Sequence, residues 1–214
     1  QMCIRDSFES FTTHGAGVSA LVTDLSSGER LEIRARHLAA CDGAASPIRD
    51  TVGIGLLGSE QLSRSIHMFF RAPDLLGELG VRPTNFFLLI DQDGFWGSLR
   101  VMDPRNGLWR LMIDDLPEDV DAAKIDFDTV LQRATGRRMA VQWLSSSLWK
   151  RRGVIAERYS AGPVHLVGDA AHQVSPTGGL GMNTGIADAV DLSWKIAAVH
   201  QGWGGDRLLP SYSP

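Results

Sequence analysis

Cysteine is scarce in this chain of 214 residues, which contains only Cys3 and Cys41. Two cysteines make no disulfide framework, so we expect a reducing, cytoplasmic environment. Cys41 follows apolar residues, and we expect its thiol to be inert in the core of a strand. The sequence also lacks a long apolar run, since the clearest one, Phe86–Ile90, is far shorter than the roughly 20 residues of a membrane-spanning helix. These absences argue against a disulfide-rich secreted domain and a helical membrane protein.

Basic residues form no cluster either. The formal net charge is −4, and no run of Lys and Arg is longer than Lys150–Arg152. We therefore expect no nucleic-acid partner and no membrane partner. Cys and His do not recur at the spacing of metal ligands, and no Gly-x-Ser-x-Gly elbow indicates a serine hydrolase. What remains is an ordinary globular composition, 43% hydrophobic and 21% charged, with enough apolar material for a core.

The first part of the chain predicts a hairpin followed by a buried strand. Apolar residues alternate in 17–23 and again in 31–33, which indicates two antiparallel arms. We expect the second arm to run on into a buried strand, Leu38–Cys41, that ends at Asp42-Gly43. Pro47 then favours the first turn of a short helix.

The middle of the chain, 59–150, is rich in strand patterns and aromatic residues. Four of the six tryptophans and six of the eight phenylalanines lie there. One helical pattern, 121–135, ends at Gly136. We expect a mostly antiparallel sheet whose aromatic residues either line a pocket for a flat ligand or simply form a core. The predicted strands are 65–71, 85–91, 95–102, 108–113 and 141–149.

The last part predicts a strand at 164–167, a glycine-rich loop and a helix over about 183–200. If strands 31–41 and 164–167 pair in one sheet, their acidic ends meet at one edge, where open α/β sheets bind ligands. The predicted fold is therefore α/β (α+β), an incomplete Rossmann-like domain with an inserted, mostly antiparallel β-sheet domain for the substrate. The predicted boundaries are 8–58 and 151–214 for the first domain and 59–150 for the insert, with 1–7 a scar or disordered.

The run Gly168–Gly185 is the most informative stretch of the sequence. Its Asp169 can accept hydrogen bonds from ligand hydroxyls, or it can cap a helix or turn. The glycines let backbone N–H groups approach a flat ligand, and the following helix points its positive end at the loop. This combination suits a cofactor with a polyol, a planar ring and an electron-rich edge. By the same reasoning Asp42 is a ligand contact or a turn residue, Arg49 is a phosphate contact or a solvated helix residue, and His172 makes a structural hydrogen bond.

These residues resemble the motifs of a known family. Gly168-Asp169-Ala170-Ala171-His172, with Pro176, Gly178-Gly179, Gly181-Met182-Asn183 and Asp188-Ala189, is similar to the second FAD motif of class A flavoprotein aromatic hydroxylases, the p-hydroxybenzoate/phenol hydroxylase family. Residues 41–49 resemble the central Asp-Gly motif of that family, which is tied to both FAD and NAD(P)H. The resemblance extends over nearly the whole chain and identifies the first domain as the FAD-binding domain.

The resemblance implies an FAD- and NAD(P)H-dependent monooxygenase that hydroxylates an aromatic or phenolic substrate with O₂ through a C4a-hydroperoxyflavin. Asp169 would bind the ribityl chain of FAD, and the loop at 176–183 would follow the isoalloxazine, where a helix N-terminus stabilises the charge of the reduced flavin. Asp42 would lie near the pyrophosphate and Arg49 would contact a phosphate. No catalytic base stands out. The implied cofactor-binding residues are Gly168, Asp169, Pro176, Gly179, Gly181, Met182, Asn183, Asp42, Gly43 and Arg49.

Two features depart from the family pattern. The N-terminal Gly-x-Gly-x-x-Gly and its first βαβ unit, which hold the ADP half of FAD in that family, are absent, and Pro163 replaces a customary arginine. We therefore expect a fragment that lacks this unit and the C-terminus, and that alone is inactive and binds FAD weakly. Two alternatives stay open: another flavin oxidoreductase of the superfamily, such as a halogenase or prenyl reductase, or a non-catalytic remnant binding module. The sequence does not set the oligomeric state or the choice between NADH and NADPH.

Overall fold

The computed structural model describes residues 6–15, 17–82, 84–176 and 178–213. The backbone forms two compact units: unit 1 comprises Gln1–Ser59 and Gly153–Pro214, and unit 2 comprises Glu60–Arg152. The first strand already begins at Asp6, inside the stretch 1–7 that the sequence predicts to be a scar or disordered. Cys3 lies outside the described residues. Within the described ranges, no helix is long and apolar enough to cross a membrane.

Most elements of the described residues are short. The strands are, in chain order, β1 (Asp6–His14), β2 (Gly17–Asp24), β3 (Arg30–Ala35), β4 (Leu38–Ala40), β5 (Leu56–Arg71), β6 (Phe86–Asp91), β7 (Gly94–Asp103), β8 (Leu108–Ile113), β9 (Gln142–Ala156), β10 (Ser160–Ala161), β11 (Val164–Leu166) and β12 (His172–Gln173). The α-helices are α1 (Pro47–Thr51), α2 (Leu75–Leu79), α3 (Phe127–Thr135) and α4 (Leu180–His200).

The predicted hairpin is present in unit 1 as β2 and β3, which pair antiparallel from Val18↔Ala35 to Thr23↔Arg30. Strand β1, which the sequence analysis does not predict, pairs with the free edge of β2. The prediction that the second arm runs on into the buried strand is wrong. Strand β3 ends at Ala35, and β4 belongs to a different sheet, so the chain turns between them.

The second sheet of unit 1 has the strand order β10-β11-β4. Strands β4 and β11 are parallel, with Leu38 opposite Val164 and Ala40 opposite Leu166. The predicted pairing of these two segments is therefore confirmed. Ala40, Val164 and Leu166 are almost completely buried, because this strand pair lies in the hydrophobic core of unit 1.

Cys41 does not lie in that core. Strand β4 ends at Ala40, and the side chain of Cys41 is exposed, so the prediction of a core strand thiol is wrong. Partial desolvation of the sulfur and the neighbouring Asp42 carboxylate raise the pKa of the Cys41 thiol. A raised pKa keeps the thiol protonated and therefore poorly nucleophilic.

Helix α4 is the longest helix, and its start differs from the prediction. It begins at Leu180 rather than near Asn183, because Gly179 adopts the left-handed conformation (φ 67°) and serves as its N-cap. The helix ends at His200, and Gly202, with φ 80°, follows as the sequence predicts.

Unit 2 contains the predicted antiparallel strands, which lie side by side in the order β9-β5-β8-β7-β6. One face of these strands packs on α2 and α3 and forms the core of the unit. Helix α3 is capped by the Asp126 carboxylate at its start and ends at Gly136, whose φ is 76°. The fully buried residues of this core include Met68, Phe70, Leu75, Leu111 and Leu131.

Candidate functional site

Two acidic residues follow the carboxyl ends of the parallel strands of unit 1. Asp42 comes two residues after β4, and Asp169 comes three residues after β11. Both side chains are exposed. Because Ala40 and Leu166 are register partners, the two strands end at the same edge of the sheet. Ligands of open α/β sheets bind at such an edge.

Asp42 also stabilises the local backbone. Its Oδ2 accepts a hydrogen bond from the Ile48 N–H at 3.0 Å, while the Ser46 hydroxyl caps α1 by accepting from the Arg49 N–H at 2.9 Å. The other carboxylate oxygen of Asp42 has no hydrogen-bond partner in the described part of the chain. Gly43 has φ 83°, which a side chain would disfavour. Asp42 therefore acts as a turn residue and still presents an acceptor.

Arg49 is buried, with 5% of its surface exposed, so it is not the solvated helix residue that was one alternative. Its NH1 group donates to the carbonyl oxygens of Ala44 (3.2 Å) and Ala170 (3.3 Å), and NH2 donates to Asp50. The guanidinium thereby links the loop after β4 to the loop after β11. Its Nε is buried without a partner in the described ranges, and the predicted phosphate contact stays a prediction.

Asp169 lies in the turn Gly168–Ala170, and no side-chain cap is formed there. Its carboxylate has no hydrogen-bond partner among the residues that the structure describes, so the capping alternative is wrong. Gly168, with φ 61°, donates its N–H to Asp188 Oδ2 at 2.9 Å. Asp188 of α4 thus fixes the backbone of this loop, and the Asp169 carboxylate stays available to accept hydrogen bonds from a ligand.

Asp188 has a second partner, His172. The distance between His172 Nε2 and Asp188 Oδ2 is 2.6 Å, and His172 is 5% exposed. This is the structural hydrogen bond that the sequence predicts for His172. Asp188 is the residue that sequence reasoning missed. It belongs to the resembling motif, yet its position eight residues into α4 does not reveal that it reaches back to Gly168.

Close packing joins this loop to α4. A Cβ atom placed on Gly185 would lie 3.3 Å from the Gly168 Cα, so a side chain there would push the helix from the loop. At the start of α4, Gly178 and Gly179 have φ values of 95° and 67°. Since Gly179 has no side chain, it contributes no capping acceptor to the first-turn N–H groups. Such a helix N-terminus favours negative charge.

The remaining predicted site residues lie along this glycine-rich segment. Pro176 is exposed in the loop, whereas Gly181, Met182 and Asn183 belong to the first turn of α4. Met182 is 75% exposed, and the Asn183 side chain donates to the Gly179 carbonyl at 3.3 Å. Contacts of Arg49 and the Gly168 backbone therefore bring the two strand-end loops and α4 into one site.

A cavity of about 510 Å³ adjoins the loop in unit 1. Its walls are mainly apolar, and its size lies in the range of sites for small ligands. Burial and the Asp188 carboxylate raise the pKa of the Tyr159 phenol in its wall, so this phenol stays neutral. The residues that line the cavity include Gly58, Gly153, Ile155, Tyr159, His172, Val174 and Thr184.

Paired parallel strands with acidic ends, a glycine-rich loop and a helix N-terminus without a side-chain cap are typical of α/β proteins that bind a ligand at the strand ends. The particular family follows from comparison with known proteins. Residues 2–214 match the family described as FAD binding domain, and the chain belongs to that family.

Curated relatives carry oxygenase names. The chain is 35% identical over 212 residues to a putative polyketide hydroxylase of Streptomyces coelicolor, a match that covers 95% of this chain and 33% of the relative. It is 34% identical over 214 residues to the 2,4-dichlorophenol 6-monooxygenase of Delftia acidovorans, with 96% of this chain and 36% of the relative covered. The chain therefore spans about a third of the length of these relatives.

Solved structures are also similar to this chain. The rebeccamycin biosynthetic enzyme RebC with reduced flavin has a TM-score of 0.78 at 39% identity, and the match covers 97% of this chain and 39% of that one. The ternary complex of aklavinone-11 hydroxylase with FAD and aklavinone has a TM-score of 0.78 at 29% identity, with 97% of this chain and 39% of that one covered.

The residues of the site fit FAD. The exposed Asp169 carboxylate, free of protein partners in the described ranges, can accept from hydroxyl groups of a polyol. The Gly168–Gly185 contact and the left-handed Gly178 and Gly179 let backbone approach a flat ring without Cβ atoms. The buried, unpartnered Nε of Arg49 is a donor between the two loops.

Proposed function

We propose that this chain is part of an FAD- and NAD(P)H-dependent monooxygenase that hydroxylates aromatic, phenol-like rings. The overall reaction takes an aromatic C–H, O₂, NAD(P)H and a proton to a phenol, NAD(P)⁺ and water. The observation that carries the proposal is the pair of exposed carboxylates, Asp42 and Asp169, at the shared end of two parallel strands. Membership of the FAD binding domain family and the oxygenase names of the relatives support it. The need for NAD(P)H accords with a cytoplasmic enzyme.

Each part of the site has a distinct role in this proposal. Asp169 accepts hydrogen bonds from the ribityl hydroxyls of FAD. The N–H groups at the N-terminus of α4 would stabilise the negative charge that the flavin gains when it is reduced. Asp42 and Arg49 face the pyrophosphate. FAD, when bound, would supply the redox and oxygen-activating chemistry, which no side chain of the described site supplies.

The apolar cavity beside the loop contributes by excluding water. Its wall includes Gly58, which packs against the backbone of Gly153, and Tyr159, whose phenol stays protonated. An apolar wall would strengthen hydrogen bonds to the cofactor and exclude bulk water from it. Exclusion of water requires no further side chain with a shifted pKa in the cavity wall.

The role of Asp169 is tested by titrating FAD into the protein encoded by the complete reading frame and into its Asp169→Ala variant, with quenching of flavin fluorescence as the readout. A hydrogen bond to a charged acceptor contributes about 1.5–3 kcal/mol, so we expect the dissociation constant to rise roughly 10- to 100-fold. Asp206→Ala is the matched control, since Asp206 is an exposed carboxylate in the same unit. Equal FAD affinity in the Asp169→Ala variant and its parent would refute the assigned role.

The reaction itself is tested on the protein encoded by the complete reading frame. We expect a flavin absorption band, NAD(P)H oxidation that a phenolic compound accelerates, and one atom of ¹⁸O from ¹⁸O₂ in the hydroxylated product. A colourless protein that takes up no FAD would overturn the proposal and favour a binding module. NAD(P)H oxidation without oxygen incorporation into any phenolic product would favour another flavin oxidoreductase.

A further inference from the structure

A short turn near the end of the described chain packs against the second sheet of unit 1. Residues 210–213, which we call the tyrosine turn, contain the 3₁₀ turn Pro210–Tyr212. The Tyr212 side chain is buried, and its ring packs with Val167, which directly follows β11, and with Leu192 of α4. The tyrosine turn therefore contacts both elements that carry the candidate FAD site.

Two hydroxyl groups of the tyrosine turn replace one hydrogen bond of the sheet. The antiparallel register of β10 and β11 places Tyr159 opposite Leu166, and the Leu166 N–H donates to the Tyr159 carbonyl oxygen at 2.8 Å. In a complete ladder the Tyr159 N–H would donate back to the Leu166 carbonyl oxygen. Instead, the Tyr159 N–H donates to Ser213 Oγ at 2.8 Å, and the Tyr212 hydroxyl donates to the Leu166 carbonyl oxygen at 2.6 Å. A side chain of the turn therefore holds the last carbonyl group of β11.

Helix α4 also binds the tyrosine turn. Lys195 is 7% exposed, and its Nζ donates to Asp191 Oδ2 at 2.7 Å and to the Ser211 carbonyl oxygen at 3.1 Å. Asp188 and Lys195 are seven residues apart, which is close to two helical turns, so they lie on the same face of α4. That face therefore holds both the loop after β11 and the tyrosine turn. Burial, and then the Asp188 carboxylate, raise the pKa of the Tyr212 phenol, so the phenol keeps the proton that it donates.

The Tyr212 hydroxyl completes the hydrogen bonding of one peptide group, the one that joins Leu166 to Val167. The N–H of this group belongs to Val167 and donates to the Ala40 carbonyl oxygen at 2.9 Å, while its carbonyl belongs to Leu166 and accepts from Tyr212. A peptide group that is bonded on both sides has a fixed orientation. Loss of the hydroxyl would leave a buried carbonyl without this partner, and the peptide group would tilt to find another.

Asp169 lies close to this peptide group, since only Gly168 separates it from Val167. No protein group of the described ranges holds the Asp169 carboxylate, so the backbone before it determines where the carboxylate points. We propose that Tyr212 is a positioning residue, whose hydroxyl fixes the end of β11 and thereby directs the Asp169 carboxylate to FAD. The proposal rests on the proposed function, because it takes the ribityl hydroxyls of FAD as the ligand of Asp169.

The test is a double-mutant cycle of Tyr212→Phe and Asp169→Ala in the protein encoded by the complete reading frame, with FAD affinity as the readout. Tyr212→Phe removes the hydroxyl and keeps the packed ring. We expect it to raise the dissociation constant about 10-fold when Asp169 is present and less than about 2-fold in the Asp169→Ala background, because a displaced carboxylate matters only where there is one. A residue that merely stabilised the fold would weaken FAD binding equally in both backgrounds, and that result, or unchanged affinity in Tyr212→Phe, would overturn the proposal.

Ser193→Ala is the matched control, because the Ser193 hydroxyl also donates to a backbone carbonyl, that of Val190, but on exposed α4 surface. Hydrogen–deuterium exchange of residues 167–173 without FAD gives a second readout. We expect exchange there to be at least about 10-fold faster in Tyr212→Phe and unchanged in Ser193→Ala.

The two readouts separate this proposal from the proposed function. Unchanged exchange in Tyr212→Phe, or an equal increase in Ser193→Ala, would overturn the positioning role of Tyr212. FAD affinity that does not respond to Asp169→Ala, together with faster exchange in Tyr212→Phe alone, would contradict the proposed role of Asp169 and support the hold of Tyr212 on the loop.

Discussion

The buried His165 makes unit 1 sensitive to acid. It lies on β11 with 1% of its surface exposed, between the Ser160 hydroxyl at 2.8 Å from Nδ1 and His37 Nδ1 at 3.1 Å from Nε2. The Tyr212 ring meets its edge at 6.3 Å. Burial, and then the neighbouring His37, lower the pKa of His165 from 6.5 to about 4. Protonation of His165 would place a charge inside the strand pair that presents Asp169.

The sign and size of the effect follow from this pKa. Between pH 4 and 6.5 the unfolded chain binds more protons at His165 than the folded chain, so the free energy of unfolding falls as the pH is lowered. The contribution of His165 to the free energy of unfolding is complete above the pKa that its imidazole has in the unfolded chain, and it is lost as the pH falls toward 4. His165 can contribute at most about 3 kcal/mol to the free energy of unfolding. About 2 kcal/mol of this contribution is lost between about pH 7.5 and pH 5.

Urea unfolding at those two pH values, followed by tryptophan fluorescence, measures this loss. Trp194 and Trp203, whose rings stack at 6.4 Å, report on unit 1. The comparison is between the parent chain, His165→Gln and the exposed control His200→Gln, because the titrating groups that do not contact His165 contribute equally to the parent and to His165→Gln. We expect His165→Gln to lose about 2 kcal/mol less on acidification than the other two proteins. An identical pH dependence in all three, or a pKa near 6.5 for His165 by NMR titration, would refute the reasoning.

Two further predictions concern charges that hold or strain the backbone. Asp188→Ala removes the acceptor of both Gly168 N–H and His172 Nε2, so urea unfolding should show a loss of about 3 kcal/mol, with less than half of it in Asp188→Asn. A loss that is equal in both variants would contradict the hydrogen-bonding role. Arg100→Gln relieves the repulsion with Arg110 and should raise the free energy of unfolding by about 0.2–1 kcal/mol in the same assay, whereas a clear loss would show that the pair is not strained.

The elements that the sequence predicts are those with a local signal. The strands of unit 2 alternate and are separated by turn residues, and α3 has both an Asp126 cap and a terminal Gly136. The pairing of β4 with β11 is also predictable, because two short apolar runs that each end in an aspartate suit one buried parallel pair. The family resemblance then indicates FAD, and the match over residues 2–214 confirms it.

Features that depend on distant partners are not predictable in this way. Strand β1 has mostly exposed residues and no apolar alternation, so only its pairing with β2 defines it. The burial of Arg49 depends on the Ala170 carbonyl, 121 residues further along the chain. Arg100 and Arg110 likewise become neighbours only through the register of β7 and β8, since they look like ordinary surface residues in the sequence.

The charged side chains of the site in unit 1 have two roles. Some bind the backbone of the strand-end loops, and others are exposed to a ligand. Arg49 and Asp188 are largely buried and bind backbone groups of the strand-end loops, so they fix the loops before any ligand arrives. Asp169 is exposed and does not cap the adjoining turn, although a carboxylate at this position could do so. An exposed carboxylate on a rigid loop loses little conformational freedom when it accepts a hydrogen bond from a ligand. This division supports the proposed role of Asp169 as the carboxylate that accepts hydrogen bonds from the ribityl chain of FAD.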